Sequence, residues 1–369
     1  MSDSADRTEN PFTTKLPTLQ RAWDATSLNA LQFCPRYYQQ SILQGYRERG
    51  NNDLEFGGYF ASAVEVYKKA RLQPVSKEQA TLRALHYAIE ATYDRDTGPW
   101  SGVYETAWRC TGTEPYRNAK GNRAKCPWSH KGEWFPEPAP DVCGSCGSPI
   151  QTERRWVPCC TKDRYTLVRL VATYCDNQPE TSAEGAFPIS FSDATPAVEL
   201  SFRYPLERHT PDGEPYIACG HIDSIMQFGG ENFIDDNKTT TKTLNAKFWA
   251  TFSPNTQVDL YDLTGSVLWP SLDIQGVLIE GAQITKTMGT QLGVGIMRRT
   301  DEQRNEFLRD LDYWLSQAEL FAQTDYWPMN RRNCWLCAFK EVCAAPQDQR
   351  VALLDEKFDK RKWNPLEER

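Results

Sequence analysis

The chain reads as a mixed α/β protein, and three features lead there. Helical periodicity recurs in separate blocks, most clearly over 301–322 (DEQRNEFLRDLDYWLSQAELFA), while 197–204 (AVELSFRY) and 274–281 (IQGVLIEG) have the composition of strands. Gly229-Gly230 separates two further apolar-leaning runs, which is a hairpin signal. Between about 105 and 165 this alternation stops, and Cys, Trp, Gly and Pro accumulate instead, so a segment of different character interrupts the α/β body.

Bulk properties narrow the function. A chain of 369 residues is one elaborated domain or two ordinary ones, and 40% hydrophobic with 25% charged residues is a globular composition. No signal peptide pattern and no apolar run near bilayer length is present, so a cytoplasmic location is expected. The net charge of −7 argues against a broadly basic coat, and any nucleic-acid contact must use local patches. Twelve cysteines without an export signal point to metal or cluster ligands rather than disulfides.

In chain order, residues 1–18 are polar and aperiodic, a tail. Ser27 is placed to cap a helix holding Leu28, Leu31 and Phe33 that runs into Cys34-Pro35-Arg36-Tyr37-Tyr38. Helices follow over 56–67 and 77–94, the latter with Leu82, Leu85, His86 and Ile89 at helical spacing; His86 is read as a packed or solvent-edge residue. These make an N-terminal helical part, 19–104, ahead of a Cys-rich insertion, 105–165, with a Pro-rich connector at 135–140. The core region, 166–345, opens with 166–174 as helix or strand and the 197–204 strand, whose Glu199 is read as structural. The hairpin comes next, its first strand ending in Gly220-His221-Ile222-Asp223 and its second in Asp235-Asp236-Asn237-Lys238. Leu244–Ala250 and Thr256–Leu263 read as helical pieces, and 346–369 as a C-terminal tail.

The hairpin carries the chemistry. Paired strands bring the carboxylates of Asp223 and Asp236 together, and their repulsion is relieved by a hard divalent cation, Mg²⁺ or Mn²⁺. Lys238, two residues after Asp236, shares its face. A one-residue slip of register would put Asp235 there instead. A carboxylate-held metal beside a lysine suits phosphodiester hydrolysis. On helix 256–263, Gln257 and Tyr261 share a face at i, i+4.

G-x-x-D (Gly220 to Asp223), D-x-K-T (Asp236 to Thr239) and Q-x-x-x-Y (Gln257 to Tyr261) together resemble the RecB-like branch of the PD-(D/E)XK nucleases. Ser27-Leu28 followed by Cys34-Pro35 and Tyr38 resembles the entrance to such domains. The resemblance implies a restriction-endonuclease-like core, a mixed β-sheet flanked by helices. It implies a Mg²⁺- or Mn²⁺-dependent deoxyribonuclease, of a kind often acting as a single-strand-preferring exonuclease in recombination, repair or phage DNA processing. Gln257 and Tyr261 would orient DNA or buttress the site. Gly57 and Glu65 fit the family's Gly-x-x-x-His-x-x-x-Glu helix, but Ala61 stands where the His is usual, and Glu65 reads as a surface residue. Two other readings stay open: a DNA-binding scaffold that has lost cleavage, and a CRISPR-associated nuclease that trims spacers with partner proteins.

The cysteines fall into two groups. Cys334, Cys337 and Cys343 have C-x2-C-x5-C spacing, three ligands needing a fourth, and Cys34 is the candidate. The same resemblance implies a [4Fe–4S] staple joining the N- and C-terminal regions; zinc would use the same thiolates. In the insertion, Cys143-Gly-Ser-Cys146-Gly is a zinc-knuckle signature, with Cys110 and Cys126, or Cys159 and Cys160, as the partner pair, and His130 nearby. Arg109, Arg117, Lys120, Arg123, Lys125 and Lys131 stand there against one acid, Glu114, interleaved with Trp108, Tyr116 and Trp128. This is a pattern for gripping DNA, or a solvated loop.

Overall fold

The computed structural model describes residues 19–49, 52–93, 102–132, 135–136, 139–158, 161–285 and 289–367. The expected tail 1–18, Cys159 and Cys160 lie outside them, as do the side chains of His130 and Lys131. Two compact units divide the chain, one of residues 1–88 with 169–369 and one of residues 89–168.

Along the chain, β1 (Ala22–Trp23) leads into α1 (Ala25–Phe33), α2 (Pro35–Tyr38) and β2 (Tyr46–Glu48). The N-cap of α1 is Asp24, which accepts from the Ser27 amide; Ser27, expected as the cap, is the returning residue of a capping box. Then come α3 (Asn52–Arg71) and α4 (Lys77–Ala91). On α4 the buried stripe is Ala80, Ala84 and Ala88, with Leu82 at 60% and Ile89 at 43% exposure, the reverse of the face expected from its larger apolar residues. The second unit holds β3 (Gly102–Cys110), β4 (Tyr116–Arg117), β5 (Arg123–Ala124), β6 (Phe135–Pro136) and β7 (Ile150–Pro158), β3 pairing antiparallel with β7 over its full length. The stretch 166–174 belongs to a helix, α5 (Arg164–Asn177).

The larger unit is built on a seven-stranded mixed sheet of β1, β8 (Phe187–Pro188), β9 (Val198–His209), β10 (Pro215–Phe228), β11 (Glu231–Thr240), β12 (Ile274–Ile284) and β13 (Thr290–Met297). Both hairpin strands run past the residues expected to end them. They meet at Gly229-Gly230 with φ of +60° and +86°, the left-handed backbone a two-residue turn needs. β11 and β12 are parallel, joined by α6 (Ala246–Trp249) and α7 (Thr256–Leu268). The unanticipated β13 alternates Gly293 and Gly295 with larger residues; Trp249 covers these glycines and Gly281 so closely that a Cβ at Gly295 would stand 2.5 Å from its ring.

The pleat divides the sheet. Ile225, Ile234, Val277 and Ile279 join the main core with Leu28, Leu31, Val258 and Leu260 from α1 and α7 and Phe307, Leu311 and Leu315 from α8 (Asp301–Gln323). Met226, Phe233 and Leu278 form a separate cluster on the opposite face, where α3 and α5 meet the sheet through Lys68 and Tyr174. The architecture is thus a mixed sheet flanked by helices. The segment 346–369, read as a tail, is folded over its described residues, 346–367. After α9 (Lys340–Ala344) come α10 (Arg350–Lys357) and β14 (Phe358–Lys360), which pairs with β2, and Phe358 is buried against Phe339.

Candidate active site and metal centres

The site arises where the sheet splits. β10 and β11 pair from their turn up to Ser224–Asp235. Beyond that point β10 is held by β9, from Ile222–Leu200 onward, and by the short β1 at Ile217 and Ala218. β11 instead stays with β12 as far as Thr240–Gln283. The hairpin therefore opens like a V, and Asp223 and Asp236 are the first residues past the fork.

Side chains take up the backbone groups that the fork leaves without ladder partners. The Asn237 amide donates to Asp223 Oδ2 at 2.8 Å, and the Asn237 side-chain amide donates to the same oxygen at 3.1 Å. The Tyr261 hydroxyl donates to the His221 carbonyl at 2.5 Å. Gly220 leaves room for Phe202, which packs edge-on against that tyrosine, since a Cβ there would sit 2.9 Å from the phenylalanine ring. α7 starts at the fork because Asn255 caps it, accepting from the Gln257 and Val258 amides.

Gln257 then bridges the charged pair. Its Oε1 accepts from Lys238 Nζ at 2.9 Å, and its Nε2 donates to Asp236 Oδ1 at 3.1 Å and to the Tyr261 hydroxyl at 3.0 Å. Lys238 Nζ lies 2.7 Å from Asp236 Oδ2. Asp236, Lys238, Gln257 and Tyr261 are thus one hydrogen-bonded group, and Asp223, held by Asn237, acts on Asp236 through its charge. Burial pushes the Asp236 carboxyl up to about 6; the Lys238 ammonium pulls it down and Asp223 pushes it further up. Asp236 Oδ2 is buried without an aligned hydrogen bond despite its ion pair. An under-satisfied carboxylate oxygen beside a second carboxylate fits a hard divalent cation.

The opposite face holds a group that sequence reading did not find. Lys68 on α3 is fully buried, with its Nζ 2.5 Å from Asp235 Oδ2, 2.9 Å from Glu280 Oε2 and 3.2 Å from Ser224 Oγ. The Tyr174 hydroxyl donates to Glu280 Oε2 at 2.7 Å. Asp235 therefore faces away from Asp236, and the one-residue slip does not occur. Two carboxylates share one ammonium, and burial holds the Asp235 carboxyl well above the ordinary range while Glu280 lies below it. Asn237 links the faces, its Nδ2 donating to Asp223 Oδ2 and, at 3.2 Å, to Asp235 Oδ2. Lys68 lies seven residues after Ala61, on the same stripe of α3, but nothing local in the sequence marks it as buried. Glu65 pairs with Lys69 at 2.6 Å as a helix-surface pair, and Glu199 is half-buried on β9.

In the second unit Cys110, Cys126, Cys143 and Cys146 converge. Among the described residues they are the one group of three or more Cys, His, Asp or Glu whose ligand atoms all lie within 4.8 Å of one another. Sγ separations are 3.4 Å for Cys110–Cys146 and 3.6 Å for Cys126–Cys143. Four thiolates around one tetrahedral ion at 2.3 Å stand roughly 3.8 Å apart, so the group fits a single bound metal. Burial alone would raise the Cys146 thiol, but hydrogen bonds from Ser148 and the neighbouring thiols bring it down to about 6, whereas burial raises Cys110 and Cys126.

Cys34, Cys334, Cys337 and Cys343 line a common pocket with Tyr37 and Asn330. The chain itself clasps here: the Asn330 amide donates to Cys34 Sγ at 3.2 Å, and the side chains of Asn330 and Asn333 donate to the Phe33 carbonyl at 3.0 and 2.7 Å. Cys175 and Cys219 are buried singly, and burial raises both thiols.

No family model matches the chain, and no curated protein does. Among solved structures it is similar to a protein named "Putative exonuclease" from Eubacterium rectale, with 10% identity over 87% of each chain and a TM-score of 0.43. A second, SSO0001, shows 14% identity over 40% of this chain and 59% of that one, with a TM-score of 0.23. At these scores neither likeness establishes a common fold or an activity. Among the described residues no helix is long and apolar enough to cross a membrane.

Proposed function

We propose that the protein is a divalent-metal-dependent nuclease of the RecB-like PD-(D/E)XK type that hydrolyses DNA phosphodiesters, most simply from single-stranded ends. The observation that supports this best is the fork of β10 and β11, which gathers two carboxylates and a lysine around a Gln–Tyr helix face. Asp223 and Asp236 would hold Mg²⁺ or Mn²⁺, which when bound supplies Lewis-acid polarisation of the phosphate and an acidified water. Lys238 is about one-third exposed and reaches solvent from the fork, where its ammonium orients the attacking water or meets charge developing on the phosphoryl oxygens. Gln257 holds Lys238 and Asp236 at a fixed separation. Tyr261 ties α7 to the β10 backbone and keeps Gln257 in place. End-labelled single- and double-stranded DNA incubated with Mn²⁺ should yield products that EDTA suppresses, and the label's position gives the polarity. A metal-loaded, DNA-binding chain that yields none would sink the reading. That outcome would favour binding without cleavage, for which Ala61 is the supporting residue.

We also propose zinc at Cys110, Cys126, Cys143 and Cys146 and a [4Fe–4S] cluster at Cys34, Cys334, Cys337 and Cys343. The second quartet is the more open one, and a cubane spaces its thiolates wider than a single ion does. Cys34→Ser is expected to remove most of the iron and to lower the melting temperature, because ligand energy at this clasp is folding energy. Iron analysis and visible absorbance of anaerobically purified protein check this; zinc in place of iron in the native chain would refute the cluster.

A further inference from the structure

We infer that the Cys-rich unit carries a second binding surface for single-stranded nucleic acid, made by the β4–β5 hairpin and Trp128 and organised by the four-cysteine metal site. This surface uses none of the residues of the Asp223–Asp236 fork, and the inference stands whether or not that fork cleaves DNA.

A pair of two-residue strands does not hold itself together in water. Here the pairs Tyr116–Ala124 and Arg117–Arg123 are closed by a turn in which Asn118 Oδ1 accepts from the amides of Lys120 (3.0 Å) and Asn122 (3.1 Å). Arg117 Nη1 donates to the Gly121 carbonyl at 2.8 Å, and Gly121 has the positive φ, +76°, that this turn requires. Below the turn, the cysteines serve as the hairpin's core. Cys110, Cys126 and Cys143 are buried together with Tyr116 and Ile150 packed on them, and Cys126 lies two residues past β5. A metal bound by the four thiolates would therefore fix the base of the hairpin as well as close the knuckle.

What this base presents is cationic. Arg117, Lys120, Arg123 and Lys125 are all exposed, and Glu114 is the one acid between residues 106 and 129. In a chain of net charge −7, such a local reversal of sign is suited to polyanions. Beside it, Trp128 is fixed at its edge, its Nε1 donating to Ser145 Oγ at 3.0 Å within the knuckle. Its ring lies 5.7 Å from that of Trp108, tilted by 32°, and 39% of the residue remains exposed. Exposed cations next to a rigid, partly exposed indole are the two components of single-strand binding: charge for the backbone, and an aromatic face for unpaired bases that a duplex keeps stacked.

The test uses the full-length chain carrying Asp236→Ala, without added Mg²⁺ or Mn²⁺, so that binding is read apart from cleavage. Anisotropy of a labelled single strand is followed against salt. The triple variant Arg117→Gln, Lys120→Gln, Arg123→Gln is expected to weaken binding roughly tenfold or more at low salt and to flatten the log–log salt slope by about 2. Trp128→Ala should weaken single-strand binding about fivefold or more without changing that slope. Removing the zinc with a chelator should reproduce the loss, whereas zinc content in the variants should stay at the native level. Unchanged affinity and slope in the triple variant would overturn the surface. Equal affinity for duplex and no effect of Trp128→Ala would overturn the single-strand assignment.

Discussion

Asp236→Ala is expected to reduce Mn²⁺-dependent cleavage by about a thousandfold or more, and Asp236→Asn to lose cleavage while gaining stability at neutral pH. The two effects share a cause. Asp236 is buried at the fork, and its carboxyl is raised from 3.8 to about 6 by desolvation first, with Lys238 opposing and Asp223 adding to the shift. A carboxyl whose folded pKa exceeds its unfolded one binds its proton more tightly in the native state. Stability associated with it is present below the unfolded pKa, near 4, and is lost as pH rises through about 6. Asparagine keeps the shape without the charge, so at pH 7–8 it should recover up to about 2–3 kcal/mol. The gain should vanish near pH 4. Urea melts at pH 4, 6 and 8 read this, and a variant less stable than the native chain at pH 8 would refute the assignment. Binding of Mn²⁺ to the native protein must displace the same proton, so affinity should fall as pH drops below about 6.

Lys68→Met is expected to destabilise the fold by about 3–5 kcal/mol, the range for removing one partner from a buried ion pair. Lys68 is the ammonium facing Asp235 and Glu280 in a group closed by Ser224 and Tyr174. Without it, two carboxylates remain in an apolar interior. The loss should shrink as pH falls, since protonating Asp235 and Glu280 removes the uncompensated charge. Adding Asp235→Asn to Lys68→Met should recover part of it at neutral pH. Because Asn237 bonds both Asp235 and Asp223, the single variant should also weaken Mn²⁺ binding in the fraction that stays folded. Denaturant melts with Mn²⁺ titration separate the two effects; a pH-independent loss would mean that the lysine acts through packing alone.

Sequence pattern carried the hairpin, its Gly-Gly turn, the shared face of Asp236 and Lys238, and the i, i+4 pairing of Gln257 with Tyr261, because each is a local periodicity. The fork was not legible. It depends on β1, two residues long, meeting β10 at Ile217, a contact with no local signal. Lys68 was missed because a lysine in a helix is ordinarily solvated, and what buries it comes from β11 and β12. On α4, Leu82 and Ile89 outweighed the alanines in the reading, whereas close packing selected Ala80, Ala84 and Ala88. The segment after residue 346 lacked a long periodic run, and it folds by pairing β14 with β2 at the other end of the chain.

The fork and the cysteine clasp differ sharply in the length of chain each must close. Asn237 reaches Asp223 across 14 positions, whereas Asn330 reaches Cys34 across 296. Loop closure grows with the logarithm of length, so the clasp costs about 3 kcal/mol more chain entropy than the fork. Local pairing can assemble the two carboxylates early and cheaply, as a short hairpin does. The clasp must draw on many weaker contacts, to which the proposed cluster would add its ligand energy, while the carboxylate pair rests on the hairpin's own geometry.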